Sequence, residues 1–156
     1  MISLVLVGII IAFPLVVGLV WKVGAPHLFF ALMAGELLAR YFGHETDYFG
    51  IGNAAKILDP IILITPILLT AFFLHKTIQG GKLLLHIVPL LITGLVLAVF
   101  LLPILPEAIQ DIASQNQLGR SILDFNAPII GLIVIAQLVY LWIINGKRRN
   151  KSEDRH

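Results

Sequence analysis

The sequence predicts an all-α chain, a polytopic transmembrane helix bundle of about five spans with a short amphipathic helix at the outer interface. Three observations predict it. Apolar residues make up 58% of the 156 residues, and Asp, Glu, Lys and Arg only 13%, against roughly a half and a quarter in soluble domains. Five apolar stretches follow one another, at about 2–21, 27–43, 58–75, 86–105 and 127–145. Each approaches the ~20 residues that a helix rising about 1.5 Å per residue needs to cross roughly 30 Å of hydrocarbon. Lys and Arg are also shared unequally between the two sets of loops, as the positive-inside rule requires of a threaded chain.

Residues 1–146 read as one membrane domain and 147–156 as a basic tail, in which Lys147, Arg148, Arg149, Lys151 and Arg155 face Glu153 and Asp154. Directly beside a hydrophobic helix, such a run is a stop-transfer and orientation signal that also touches anionic headgroups, so no nucleic-acid partner is expected. With the tail in the cytoplasm, Lys22, Lys76 and Lys82 fall on the same side, giving eight of the eleven Lys and Arg. Arg40, Lys56 and Arg120 lie outside with Glu45, Asp47, Asp59, Glu107, Asp111 and Asp124. The N-terminus is then outside and the C-terminus inside.

The first span has no basic n-region and no small-residue cleavage site, and Lys22 follows it; it reads as a retained helix rather than a signal peptide. Pro14, Pro66 and Pro89 fall within spans, where each removes a backbone hydrogen bond and can kink its helix. Asp59 before Pro60 predicts the start of the third helix, an acceptor followed by a residue without an N–H. After the fourth span, Leu105, Ala108, Ile109, Ile112 and Ala113 alternate with Glu107, Gln110, Asp111, Ser114 and Gln115 at helical spacing. That segment, residues 106–116, is expected to lie flat on the outer interface and to stop near Asn116 to Gly119. Asn126 and Pro128 open the last span and Gly146 ends it, with Tyr140 and Trp142 as an interfacial aromatic pair.

The second span carries Ala31, Gly35, Ala39 and Gly43 at four-residue spacing, a seam that lets another helix approach closely. It serves either an internal contact or a homo-oligomer. Weaker seams are Gly94 with Ala98 and Ala127 with Gly131. Glu36 lies deep in the same span, where a charge costs on the order of 2.5–3.5 kcal/mol on insertion scales. Arg40, four residues on, stands in the favourable order for an intrahelical ion pair. The pair reads as structural, with Arg40 snorkelling outward; the alternative makes Glu36 a proton or cation site, burial opposing its charge and Arg40 favouring it. Gln137 is a candidate partner for Glu36 if the fifth span touches the second.

His27, His75 and His86 all fall at the cytoplasmic ends of spans and are the candidates for a metal or a proton relay. Their spacing demands neither, since there is no HExxH and no histidine four residues from another, so no metal or cofactor is expected. The absence of cysteine excludes disulfides, thiolate metal sites and a cysteine nucleophile. Gly50, Gly52 and Ala55 fit GxGxxA without the strand a dinucleotide site requires, and the Asn150-Lys151-Ser152 sequon falls in the cytoplasmic tail.

No motif of a known family stands out. In general form, several short hydrophobic helices with the first two close together, the chain resembles small bacterial inner-membrane proteins of the colicin V production type; the likeness lies in hydropathy and carries no residue across. The expectation is a small non-enzymatic protein of a prokaryotic plasma membrane, a scaffold or accessory subunit packing with itself or a larger membrane partner in the lipid bilayer. The alternative is an ion- or proton-coupled transporter or channel subunit using Glu36.

Overall fold

In the computed structural model, residues 2–46, 52–75, 86–124, 131 and 133–140 are described. They are helical or in the turns between helices, with no strand among them, so the fold is all-α. The chain divides into two units, Met1–Phe125 and Asn126–His156, each taken by itself. The first holds α1 (Ile2–Val20), α2 (Ala25–Thr46), α3 (Gly52–Phe73), α4 (Ile87–Leu101) with a 3₁₀ turn at Leu102–Ile104, α5 (Glu107–Ser114) and α6 (Gln117–Leu123). The second contributes the helical stretch 133–140. Most of the expected fifth span, Trp142, and the tail lie outside the described residues, as do Lys76 and Lys82.

Among the described residues, two helical segments are long and apolar enough to cross a membrane, Ile2–Val20 and Ile87–Ile104; α3 carries a shorter apolar run, Leu58–Phe73. Pro14 lies inside α1 without ending it, on the buried stripe formed with Ser3, Val7, Val17 and Gly18. α1 closes on a tight reversal. The Val23 N–H bonds the Gly18 carbonyl at 3.0 Å, five residues back, and Lys22 takes the left-handed conformation at φ 55°. That is the arrangement in which a helix end usually places glycine. It lets Val23 and Ala25 be fully buried while α2 begins only five residues after α1 ends.

Close backbone approaches then pair the helices. A methyl group built on Gly94 of α4 would overlap the Ile11 carbonyl of α1, and one on Gly35 of α2 would overlap the Leu63 carbonyl of α3. At both places the side chain must be absent for the helices to touch. Ile11 and Gly94 are each near the middle of their helices, whereas a methyl on Gly18, near the end of α1, would press on Leu90 and Leu28, near the starts of α4 and α2. α1 is therefore antiparallel to α4, and α2 runs parallel to α4. Gly35 stands eleven residues before the end of α2 and Leu63 eleven after the start of α3; equal distances from the connection make these two an antiparallel hairpin.

α4 is the most enclosed helix, burying Leu90, Thr93, Gly94, Val96, Leu97, Ala98, Val99 and Leu101 against α1, α2 and α6. Phe29, Leu28, Leu32, Leu63 and Ile67 fill the α2–α3 side of the core. The α5 and α6 helices sit against α1, at the end where α4 finishes. Gln110 Nε2 donates to the carbonyls of Pro103 (2.9 Å) and Leu105 (2.7 Å), satisfying acceptors at the end of the 3₁₀ turn.

Three expectations are corrected. α3 starts at Gly52, so Asp59 and Pro60 lie inside it and do not form its cap; an interior proline removes one N–H and kinks a helix without having to end it when packing holds both sides. Pro89 is the third residue of α4, in the first turn, where its missing N–H had no helical partner to lose. The amphipathic helix does stop, at Ser114 with Asn116 extended, but helix resumes from Gln117 and runs through Gly119, where the break was expected to continue. Gly119 is not a breaker but a contact, since a methyl there would overlap the Ala113 carbonyl of α5.

Replacing Gly35 by Leu should lower stability by about 3 kcal/mol, the upper part of the range for overpacking, because the obstacle is backbone. The same change at the neighbouring exposed Ala34 should alter it by less than about 0.5 kcal/mol. Thermal unfolding of the two variants side by side checks the face assignment; equal losses would mean that α2 packs differently.

Candidate functional site

The polar centre of the first unit is on α2, and helix geometry decides its surroundings. Glu36 is eleven residues from Ala25 and ten from Thr46, the midpoint of the helix, about 15 Å from either end at 1.5 Å per residue. Each residue turns the helix by about 100°, so Glu36 sits beside Gly35 at the edge of the packed seam. Arg40 lies nearly above it, one turn on. Leu37 and Tyr41 are turned further out, 69% and 70% exposed. The site is thus a polar strip between a packed face and an apolar outward face.

Arg40 Nε–H donates to Glu36 Oε1, joining the two as an ion pair within one helix. The Glu36 side chain is 15% exposed and that of Arg40 72%. A helical side chain leans toward the N-terminus of its helix, and the bond to Glu36 draws the guanidinium the same way, back along α2. The outward snorkelling expected of Arg40 is therefore opposed by its own partner. Tyr41 and Phe42 follow directly, packed edge to face with ring centres 5.8 Å apart.

The seam lies on the buried side. Ala31, Gly35 and Ala39 are all buried, and Gly35 meets α3 at Leu63. Gly43 is on the α2 backbone, its surroundings outside the described residues. Gln137 is on the 133–140 helix of the second unit, so its pairing with Glu36 rests on sequence. At Gly35 the seam makes a contact within this chain, with Ala31 and Ala39 buried on the same face.

The histidines gather at one end of the first unit, where α1 and α3 finish and α2 and α4 begin. His27 is exposed, His75 Nδ1 lies 3.2 Å from the Phe72 carbonyl, and His86 is buried at the N-cap position of α4. Among the described residues no group of three or more His, Asp or Glu is placed to hold a metal ion. Thr65 and Thr93 donate their hydroxyls to carbonyls four residues back, Ile61 at 2.6 Å and Pro89 at 2.8 Å, the usual way a helix absorbs a threonine.

What sequence reasoning missed at this site is the exposed aromatic pair after Arg40. Its signal was present: an Arg-Tyr-Phe run closing an apolar stretch is a membrane-interface pattern. Comparison of the chain with protein-family models, with curated proteins and with solved structures finds no match in any of the three. The likeness to colicin V production proteins accordingly stays one of hydropathic form.

Glu36→Gln removes one charge from a pair whose arginine is mostly exposed, and intrahelical pairs of this spacing contribute about 0.3–0.5 kcal/mol in water. Thermal unfolding in detergent should show a loss below about 1 kcal/mol, smaller than that of Gly35→Leu. A larger loss would mean that Glu36 holds more than Arg40.

Proposed function

We propose that this chain is a multi-pass integral membrane protein of five spans in a prokaryotic plasma membrane, N-terminus outside and C-terminus cytoplasmic. It works as a non-enzymatic scaffold or accessory subunit that packs with itself or with a larger membrane partner. The observation that carries the reading is the division of each long helix into two apolar surfaces. Inward, Gly35 and Gly94 meet the backbones of neighbouring helices among buried residues such as Phe29, Leu63 and Leu90; outward go large side chains such as Ile2, Ile9, Leu37, Leu69 and Phe72, from 51% to 76% exposed. In water so much exposed apolar surface drives association. In lipid it is the solvated face, and small residues supply the close packing on which helix association depends.

Charge placement supports the orientation. Lys22 stands at the end of the first unit where the three histidines gather, and Glu107, Asp111 and Asp124 stand on or beside α5 and α6 at the other. Lys76, Lys82 and the tail extend the first set in sequence, so the Lys and Arg majority falls on the cytoplasmic side. The scaffold reading is preferred to a transporter or channel because Glu36 and Arg40 neutralise each other within one helical turn. The Glu36 carboxylate therefore has a cation beside it without a transported one.

A reporter fused after His156 should be active only in the cytoplasm. Purified protein in sealed vesicles should show no flux above leak under imposed proton, sodium or potassium gradients, followed with ion-sensitive dyes. A tail found outside would reverse the orientation. A wild-type flux that disappears in folded Glu36→Gln would replace the scaffold by the transport alternative.

A further inference from the structure

The four long helices are unequal in the apolar length they offer a bilayer. α1 gives nineteen residues and the Ile87–Ile104 segment eighteen, about 27–29 Å at 1.5 Å per residue. The apolar run of α3, Leu58–Phe73, is shorter, about 24 Å. On α2 the stretch between His27 and Arg40 is twelve residues, 28–39, and contains Glu36; that is about 18 Å. The two helices with the shorter apolar runs are packed against each other through Gly35 and Leu63. One side of the first unit is therefore matched to an ordinary membrane and the α2–α3 side to a thinner one.

An arginine near a helix end usually relieves such a mismatch by reaching out to the headgroups. Arg40 is turned the other way by its bond to Glu36, while its side chain stays 72% exposed. The bond uses Nε, and the other four N–H groups of a guanidinium are on its two terminal nitrogens, spaced to take two oxygens of one phosphate. Moving the guanidinium outward would give up its bond to Glu36, whereas a headgroup that reaches its open side leaves that bond intact.

Resting on the membrane reading above, we infer that the α2–α3 hairpin locally thins the outer leaflet and holds a phospholipid phosphate on the exposed guanidinium of Arg40, with Tyr41 and Phe42 beside it among the displaced glycerol and acyl groups. The occupant is a lipid headgroup phosphate. The aromatic pair, whose Tyr41 is 70% and Phe42 47% exposed, is of the kind that settles at the boundary between headgroups and hydrocarbon. Its position one step beyond Arg40 puts that boundary several residues inside the end of α2.

The test reconstitutes the full chain into phosphatidylcholine vesicles of graded acyl length and measures thermal unfolding. The wild type should be most heat-resistant at short chains, about 14 to 16 carbons. Arg40→Leu extends the apolar stretch through Phe42, about 4.5 Å, and should move the optimum about two carbons longer; Arg40→Gln should shift it in the same direction and Arg40→Lys should keep the wild-type optimum. In digalactosyldiacylglycerol vesicles, which lack phosphate, the gap between wild type and Arg40→Gln should shrink at least twofold. A common optimum for wild type, Arg40→Gln and Arg40→Leu overturns the thinning, and an undiminished gap in the galactolipid overturns the phosphate. If Arg40→Leu does not fold, the Gln and Lys pair decides by the same criteria. Wild-type protein that never floats with vesicles overturns the membrane reading itself, and is told apart by its appearance in the soluble fraction.

Discussion

Backbone contact at two glycines governs the first unit. Where Gly94 meets Ile11 and Gly35 meets Leu63, helices approach until a side chain no longer fits between them, and the flanking residues gain dispersion contacts along the whole crossing. In the membrane setting proposed above, exclusion of water does not distinguish a helix partner from a lipid tail, so shape does so. Each crossing therefore carries a glycine at its closest point, set among large buried residues such as Phe29, Leu63 and Leu90.

The same constraint explains how the polar pair is placed. Glu36 follows Gly35, so the helix turn that brings the seam against α3 leaves the carboxylate at the margin of the contact, 15% exposed. Arg40 is the nearest cation one turn along, and its reach back is set by the direction in which helical side chains lean. Position on the helix, more than local polarity, decides which way the charge points. Thr93 shows the opposite solution on α4, where a fully buried hydroxyl is absorbed by the Pro89 carbonyl.

How much of this was legible in the sequence depends on whether the signal is local. The apolar runs located α1 to α4 because burial in a helix, by protein or by lipid, leaves the same composition. The Ala31, Gly35, Ala39 register marked the packed face of α2, but small residues record how close a neighbour comes and not which one it is; α3 as the partner was invisible. Asp59 and Pro60 misled because cap chemistry is read over two residues, whereas passage through a proline depends on what packs on either side. Gly119 misled for a similar reason. Its missing side chain serves Ala113 of the preceding helix, and without that neighbour on view a glycine reads as an ending. The Glu36 and Arg40 spacing announced an ion pair, while its effect on the direction of Arg40 needed the bond itself.

α1 and α2 are adjacent in the chain, joined through the left-handed turn at Lys22, yet the main partner of α1 is α4. Ile11 and Gly94 are 83 residues apart, so at synthesis rates of roughly 5–20 residues per second about 4–17 s separate their emergence. The contacting residues of the α2–α3 hairpin are only 28 apart, so that pair is complete long before Gly94 is made. During that interval α1 is held beside the growing protein by its tight turn, with its packing stripe of Ser3, Val7, Pro14, Val17 and Gly18 waiting for α4. Neighbours in the chain are thus not the main partners in the fold, and the short Lys22 reversal limits how far the first helix can lie from the second before α4 is made.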